Sequence, residues 1–144
     1  MADTEGSKAV VRRFMDEVSD GGKIELLDEL CTGDVVNHAA RPSLQNGLDS
    51  LKALMQSIHE SQDDRHWTEQ RYVAEGDVVI VYGVREGRWR APSFRGVATP
   101  NPGRIATELA HMFRLEGGRI AEHWAVRDDL GMMQQLGVLP APAT

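Results

Sequence analysis

The segment Ile105–Asp128, IATELAHMFRLEGGRIAEHWAVRD, decides the fold. Runs that alternate apolar and polar residues flank Gly117-Gly118, and such a glycine pair predicts a two-residue turn in an antiparallel hairpin. If Glu116 faces Arg119, every following pair is set, because side chains alternate between the two faces of a sheet. One face then carries opposite charges at both ends and is expected in solvent: Glu116/Arg119, Arg114/Ala121, Met112/His123, Ala110/Ala125 and Glu108/Arg127.

The other face of this hairpin is apolar enough to be buried, yet it carries a histidine, a tryptophan and carboxylates. Buried polar groups need hydrogen-bond partners or a function. We therefore predict that this face is the wall of a pocket. Its pairs are Leu115/Ile120, Phe113/Glu122, His111/Trp124, Leu109/Val126 and Thr107/Asp128.

Upstream of the hairpin, the apolar periodicity changes from that of helices to that of strands. Helices followed by antiparallel strands predict an α+β fold, with the N-terminal helices packed on one face of a curved antiparallel sheet and a pocket between them. The predicted helices run from Ser7 to about Ser19, from Lys23 to about Cys31, from Gly47 to about Gln62 and near Leu130–Leu136; Asp34–Ala40 is extended, and the strands Trp67–Ala74 and Asp77–Val84 flank Glu75-Gly76.

The composition sets limits on location and partners. The 144 residues fit one domain, with residues 1–6 and 138–144 expected as flexible tails, and a net charge of −6 argues against a nucleic-acid partner. Met1–Lys8 has no apolar core of a signal peptide, and the longest apolar run, Val78–Tyr82, is too short to span a bilayer. Cys31 has no disulfide partner in the chain and is expected to pack on a helix face. A reducing, cytoplasmic location without membrane contact follows.

Asp128 is the leading candidate for chemistry. A carboxylate at the end of an inward-facing apolar row is desolvated, which suits a general base. The alternative is that Asp128 caps the short helix that begins near Leu130, although Asp129 is better placed for a cap. The residues alone leave both interpretations open.

Other side chains on the predicted pocket wall have weaker arguments. His111 is either a hydrogen-bonded core histidine or a group that acts on a ligand, and Trp124 is either a pocket wall or a core tryptophan. His123, on the expected solvated face, is predicted to have no function. The remaining candidates are Glu122, which lies nearer the turn, and Asn37 and His38, which either donate hydrogen bonds into the cavity or form a turn.

The segment Arg85–Arg104 holds several arginines, prolines and glycines between two strands. It is either an irregular surface loop or a lid over the pocket, since long loops in compact domains often act as gates. Thr99–Arg104 in particular is predicted to be mobile, because its prolines and glycine lack regular hydrogen bonding. The histidines show no metal-ligand spacing, and the chain has no phosphate-binding glycine motif.

Three stretches carry a resemblance to a known family: VVRRFMDEVSDGGKIELLDELCTGDVVNH, AHMFRLEGGRIAEHW and DDLGMMQQLG. Over about residues 7–137 the sequence resembles the SnoaL-like polyketide cyclases of the NTF2-like superfamily. The resemblance implies a cofactor-free, often dimeric enzyme that closes a polyketide ring by intramolecular aldol condensation. It places the family's catalytic aspartate on Asp128, as the base, and the histidine of the penultimate strand on His111, as a hydrogen-bond donor to the developing oxyanion.

The arginine-rich loop departs from the family pattern, so the substrate and the reaction are open. A [4+2] cyclase acting on a polyene polyketide and a non-catalytic small-molecule-binding module are the alternatives to an aldol cyclase. Tyr82 and Trp89 join the expected substrate-binding residues, and a small apolar polyketide-like molecule is the expected partner. Because Val78–Val84 lacks a polar side, a homodimer that buries the outer face of these strands is also expected.

Overall fold

The computed structural model describes residues 3–143, so residues 1, 2 and 144 of the expected tails lie outside the described residues. The first helix begins earlier than predicted, because the Asp3 carboxylate rather than Ser7 accepts the N-terminal capping hydrogen bond, from the Gly6 amide at 2.9 Å. The helices are α1 (Thr4–Arg13), which continues as a π-helical segment (Phe14–Asp20), α2 (Leu27–Leu30) after a 3₁₀ turn (Ile24–Leu26), α3 (Leu48–Ser61) after a 3₁₀ turn (Pro42–Leu44), and α4 (Asp129–Gln135).

Within the described chain, a five-stranded sheet has the order β1-β7-β6-β3-β2, and a small hairpin pairs β4 with β5. Strand β1 runs parallel to β7, and the other neighbours are antiparallel. The strands are β1 (Cys31–Asn37), β2 (Gln62–Glu75), β3 (Val78–Trp89), β4 (Ser93–Phe94), β5 (Val97–Ala98), β6 (Gly103–Glu116) and β7 (Arg119–Arg127).

Helices α1 and α3 cover one face of this sheet, which confirms the predicted α+β fold. Val11 and Phe14 on the helical side pack with Val79, Val81 and Phe113 on the strands, and all are buried. Phe14 and Phe113 meet edge to face with ring centroids 5.4 Å apart, an arrangement favoured by the aromatic quadrupole. We call the helix-covered face of the sheet the inner face and the opposite one the outer face.

Cys31 is buried as predicted but not on a helix. Helix α2 ends at Leu30, and Cys31 begins β1, where it pairs with Ile120 of β7. The β-branched residues that follow it favour strand, and after an irregular stretch Val36 and Asn37 resume the pairing with β7. Burial raises the pKa of the Cys31 thiol to about 12, so it is a packing residue.

The segment Arg85–Arg104 is largely ordered structure rather than a loop. Strand β3 extends to Trp89, and its end pairs with Gly103 and Arg104 of β6. Thr99 is buried, and its hydroxyl donates to the Ala91 carbonyl at 2.8 Å. The expected lack of regular hydrogen bonding is therefore wrong for Gly103 and Arg104, which pair with β3, whereas residues 99–102 belong to no helix or strand. The mobility of the segment stays a prediction.

The hairpin register changes one step after the turn. Glu116 faces Arg119 and Leu115 faces Ile120 as predicted, but Arg114 then faces Glu122 instead of Ala121. Ala121 is the extra residue of a β-bulge, and both it and Ile120 are buried. From this point every β7 side chain lies on the face opposite to the predicted one.

The rest of β7 is inverted by this bulge: His123, Ala125 and Arg127 belong to the inner face, and Glu122, Trp124 and Val126 to the outer face.

Within residues 3–143, the helices are too short or too polar to cross a membrane.

Candidate active site

A chain of hydrogen bonds crosses the inner face through three strands. Asn37 of β1 contacts His123 of β7, with 2.8 Å between Asn37 Oδ1 and His123 Nδ1. His123 Nε2 lies 2.8 Å from Nδ1 of His111 on β6. Asn37 and His123 are buried, with exposed fractions of 2% and 9%, so these hydrogen bonds lie in the protein interior.

A backbone contact fixes the direction of these hydrogen bonds. The Ala39 amide donates to Asn37 Oδ1 at 3.1 Å, so this atom is the carbonyl oxygen of the side-chain amide. Since an oxygen accepts, His123 Nδ1 carries a proton, and its neutral ring leaves Nε2 as an acceptor. His111 must then donate from Nδ1, which leaves its Nε2 with a free lone pair. That atom is buried and has no hydrogen-bond partner among residues 3–143.

Both histidines are held neutral. Burial, followed by the positive charge of Arg127, lowers the pKa of His123 to about 3. Burial also holds the pKa of His111 well below its ordinary value, with smaller effects from His123 and Arg85. The hydrogen-bond pattern requires both rings to be neutral, and the lowered pKa values agree with that requirement.

An aromatic ring and a buried cation continue the inner face beyond His111. Trp67 of β2 meets His111 edge to face, with ring centroids 6.2 Å apart. The guanidinium of Arg85 lies over the Trp67 ring, 4.3 Å from its centroid, and is paired with Asp20 at 3.0 Å. A Cβ at Gly83 would lie 1.9 Å from the Glu69 carbonyl oxygen and 3.0 Å from Trp67 Cε3, so this glycine allows the close approach of the β2 backbone beside the ring.

This arrangement places an acceptor and donors on the same face. The lone pair of His111 Nε2 can accept a proton or a hydrogen bond, and the indole N–H of Trp67, which is buried without a partner in the described structure, can donate one. The Arg85 guanidinium adds a positive charge that favours negative charge developing nearby. Such a set can remove a proton from carbon and stabilise the resulting oxyanion.

Several predicted pocket residues lie on the outer face because of the bulge. Glu122 accepts from Arg114 Nε at 2.7 Å and from His38 Nε2 at 2.8 Å. Trp124 stacks on the His38 ring, with centroids 4.8 Å apart. The placement of Trp124 and Glu122 on the inner face is therefore wrong. His38 lies in the turn after β1, which is one of its two predicted alternatives, and Asn37 forms both the turn and the inner hydrogen bond.

Asp128 and Tyr82 also lie away from the inner face. Asp128 is exposed and caps α4, since its carboxylate accepts from the Gly131 amide at 2.9 Å. The Tyr82 hydroxyl donates to Glu108 at 2.8 Å. Both line an outer concavity of about 390 Å³, together with Val126. The burial on which the general-base argument for Asp128 rested is absent, and the capping alternative describes its contacts.

Trp89 lies on the inner side but at the far end of β3. It packs against Phe94 of the β4-β5 hairpin, with ring centroids 5.6 Å apart, and against Met132 and Leu136 beside α4. These contacts form a second, smaller core that closes this end of the sheet.

Sequence reasoning missed His123, Trp67 and Arg85. The position of His123 depended on the bulge, for which the adjacent apolar residues Ile120 and Ala121 were a signal. Arg85 had a clearer one: it shares the parity of Val79 and Val81 on a strand, so a charge was predictable on a buried face.

A larger concavity, of about 680 Å³, lies outside this region, between α1 and β2. Surface residues such as Arg13 and Glu17 line it, and these two form an ion pair at 2.9 Å. Charged side chains that line it pair with one another, so the inner face remains the candidate site.

Comparison with known proteins adds an independent line of argument. A family model described as SnoaL-like polyketide cyclase matches residues 9–136. No curated protein matches the chain in sequence. Among solved structures, TsrD from Streptomyces laurentii is 23% identical, with a TM-score of 0.83 over 96% of this chain and 100% of that one.

Two further structures are similar. IdmH from Streptomyces antibioticus is 26% identical, with a TM-score of 0.72 over 91% of this chain and 98% of that one. An NTF2-like protein from Burkholderia xenovorans LB400 is 18% identical, with a TM-score of 0.69 over 93% and 98%. At these identities the likenesses show the NTF2-like fold.

Proposed function

The chain belongs to the SnoaL-like polyketide cyclase family, and on that premise we propose that it closes a carbocyclic ring in a polyketide intermediate by intramolecular aldol condensation. The main support for this proposal is the free lone pair of His111 Nε2 on the inner face. The hydrogen bonds from Asn37 through His123 hold the His111 ring in the orientation that leaves this lone pair free. The proposal includes a cytoplasmic, cofactor-free homodimer and a small apolar polyketide-like substrate, as in antibiotic biosynthesis.

His111 is the proposed proton acceptor. Its Nε2 takes a proton from a carbon next to a carbonyl, and the C–H electron pair becomes an enolate. The Trp67 indole N–H donates to the enolate oxygen. The enolate carbon then attacks a second carbonyl of the same molecule, and the alkoxide that forms takes the proton back from His111.

His123 and Asn37 are positioning residues in this mechanism. When His111 gains a proton at Nε2, its Nδ1–H remains bonded to His123, whose tautomer is held by the Asn37 carbonyl oxygen. The ring therefore keeps one orientation through the reaction. This rigidity supports catalysis, because a fixed acceptor avoids reorganisation at the moment of proton transfer.

Asp128 is the second candidate base, by its match to the family motif. Its exposed position and its hydrogen bond to Gly131 support a cap instead. We therefore rank His111 above Asp128 and compare the two by mutation.

The test uses a triketone that closes by intramolecular aldol condensation, supplied both as a carboxylic acid and as its methyl ester. We expect the wild-type protein to accelerate closure of at least one form, and His111→Gln to lower the rate by about 10²–10⁴-fold with folding intact. The outer-face variant His38→Gln is the matched control and should keep the wild-type rate.

Other outcomes identify the alternatives. A fall of no more than about tenfold in His111→Gln would contradict proton transfer by His111, since that is the order of one neutral hydrogen bond, and would favour Asp128 as the base. Acceleration of a [4+2] closure of a polyene, with no closure of either triketone, would favour the pericyclic alternative. Binding of both triketones without closure would overturn the enzyme and favour a small-molecule-binding module.

A further inference from the structure

Two guanidiniums, those of Arg65 and Arg85, lie near one carboxylate, that of Asp20, on the inner face. Arg85 is buried, with an exposed fraction of 7%, and its Nη2 lies 3.0 Å from Asp20. Arg65 of β2 is largely buried and donates from Nη1 to the Ser19 carbonyl, a neutral acceptor. Burial raises the pKa of Asp20, against the attraction of Arg85 and Arg65. With Asp20 ionised, these three side chains carry one excess positive charge.

The excess is unfavourable in the empty protein. Burial, followed by repulsion from Arg85, lowers the pKa of Arg65 to about 9. Burial also lowers the pKa of Arg85, against the attraction of Asp20. A buried cation of this kind is normally paired, and among residues 3–143 Asp20 is the only carboxylate in ion-pair contact with either guanidinium, while Asp16 attracts Arg85 from farther away.

Donor atoms remain available beside this charge. Nε of Arg65 and Nε of Arg85 are both buried without a hydrogen-bond partner within residues 3–143, as is Nε1 of Trp67. Gly87 leaves the space for Arg65, because a Cβ there would lie 3.2 Å from its Cγ. A buried N–H without an acceptor is costly, and a planar anion offers the acceptors that are missing.

We propose that Arg65 and Arg85 form a subsite for a carboxylate carried by the substrate, so that the substrate is a monoanionic acid with an apolar body. This inference rests on the proposed function for its statement that the ligand is a substrate. A monoanion matches the single excess charge, whereas a dianion such as a phosphate monoester would reverse it. Guanidinium geometry also suits the planar carboxylate.

Carboxylate binding also bears on the proton acceptor. The charged or titratable groups that lower the pKa of His111, after burial itself, are His123, Arg85, Arg127 and Arg65. A bound anion would offset the two inner arginines and raise the pKa of His111 toward its ordinary value. An acidic substrate would therefore make His111 a better base on binding.

Calorimetry with naphthoate and its neutral isostere naphthamide tests the subsite at fixed low salt. We expect the full-length protein to bind naphthoate at least tenfold more tightly than naphthamide. Arg65→Met should abolish this preference, and so should the double variant Asp20→Asn/Arg85→Met, which removes both buried charges together. Arg119→Gln, at the exposed hairpin turn, should keep it.

Equal affinity for naphthoate and naphthamide in the wild-type protein would overturn the proposal, as would a preference retained in both inner variants. Inorganic phosphate that displaces naphthoate at equal concentration would show a general anion patch and also contradict it.

The outcome is separable from that of the proposed function. A naphthoate preference without closure of either triketone leaves the subsite and removes the cyclase. Closure of the acid and the ester at equal kcat/KM, together with equal affinity for naphthoate and naphthamide, supports the cyclase and removes the carboxylate subsite.

Discussion

The inner and outer faces of β6 and β7 use similar residues in different ways. On the inner face, His111 and His123 are neutral and joined ring to ring, because burial lowers both pKa values. On the outer face, His38 donates to Glu122, and the hydrogen bonds from His38 and Arg114 lower the pKa of that carboxyl. A histidine becomes a proton acceptor or an ion-pair partner according to the face it occupies, and for His123 the Ala121 bulge sets that face.

Deleting Ala121 is expected to have the largest effect on the difference between the inner and outer faces. Without the extra residue, β7 can keep its pairing with β6 only by moving His123 outward and Trp124 inward. We expect the free energy of unfolding to fall by more than about 4 kcal/mol, which is the range of severe core disruption. Denaturant unfolding followed by circular dichroism measures this.

Ala121→Gly is the control for the deletion, because it keeps the residue count and the bulge. A cost of about 1 kcal/mol or less is expected. A deletion variant as stable as the wild type would show that the bulge does not hold the two faces apart.

Acid titration tests whether the buried histidines of the inner face are neutral in the folded protein. An unfolded histidine takes its proton near pH 6.5, whereas folded His123 does so near pH 3. Between these values the unfolded state holds more protons, so stability should fall as pH falls, by up to about 1.4 kcal/mol per pH unit for each such histidine.

The variant His123→Phe should show a shallower loss of stability than the wild type between those pH values. Arg119→Gln, at the exposed hairpin turn, should follow the wild-type slope. Parallel curves for all three proteins would contradict the assignment of a neutral buried His123.

Asp128 tests whether the outer face takes part in chemistry. As a cap of α4, it should be replaced well by asparagine, whereas Asp128→Ala should cost about 1 kcal/mol of stability. Triketone closure by Asp128→Asn is expected to match the wild-type rate. A fall of about 10²-fold or more with unchanged stability would move the base from His111 to Asp128.

The smallest effect on the folded chain is expected at Val126. Val73, Ile80 and Val126 lie on the outer face with exposed fractions of 63%, 39% and 72%, and we expect a second copy of the chain to cover them in a twofold dimer. Light scattering at tens of micromolar should give twice the chain mass for the wild type.

Val126→Lys should give the mass of one chain while changing its own stability by no more than about 0.5 kcal/mol. A wild-type protein that scatters as a monomer would contradict the dimer.

Much of the fold was predictable from local patterns. The apolar stripe of the first helix, the glycine pair at Gly117-Gly118 and the alternation of Val79 and Val81 each depend on neighbours in sequence. His111 was correctly assigned to the inner face for the same reason, since the extra residue of the bulge lies in β7 and the alternation along β6 is unbroken. The resemblance to SnoaL-like cyclases was also confirmed.

The partners of His111 were not predictable in this way. His123 was expected on the solvated face, and Trp124 and Glu122 on the inner one. The predicted β6-β7 pairing assumed regular alternation, with no extra residue at Ala121. Arg85 was expected in a loop, although its strand continues to Trp89. Each error concerns a strand pairing that apolar alternation along one strand does not determine.

The sequence by itself determined the helices, the hairpin turn, the buried alternation and the inward direction of His111. Only the tertiary structure decided which β7 side chains meet it. Side-chain direction along a strand has a period of two residues, so a single inserted residue inverts every position that follows. Whether that residue is accommodated depends on packing and hydrogen bonds with β1 and β6 together, because Ile120, Ala121 and Glu122 must satisfy both neighbours at once.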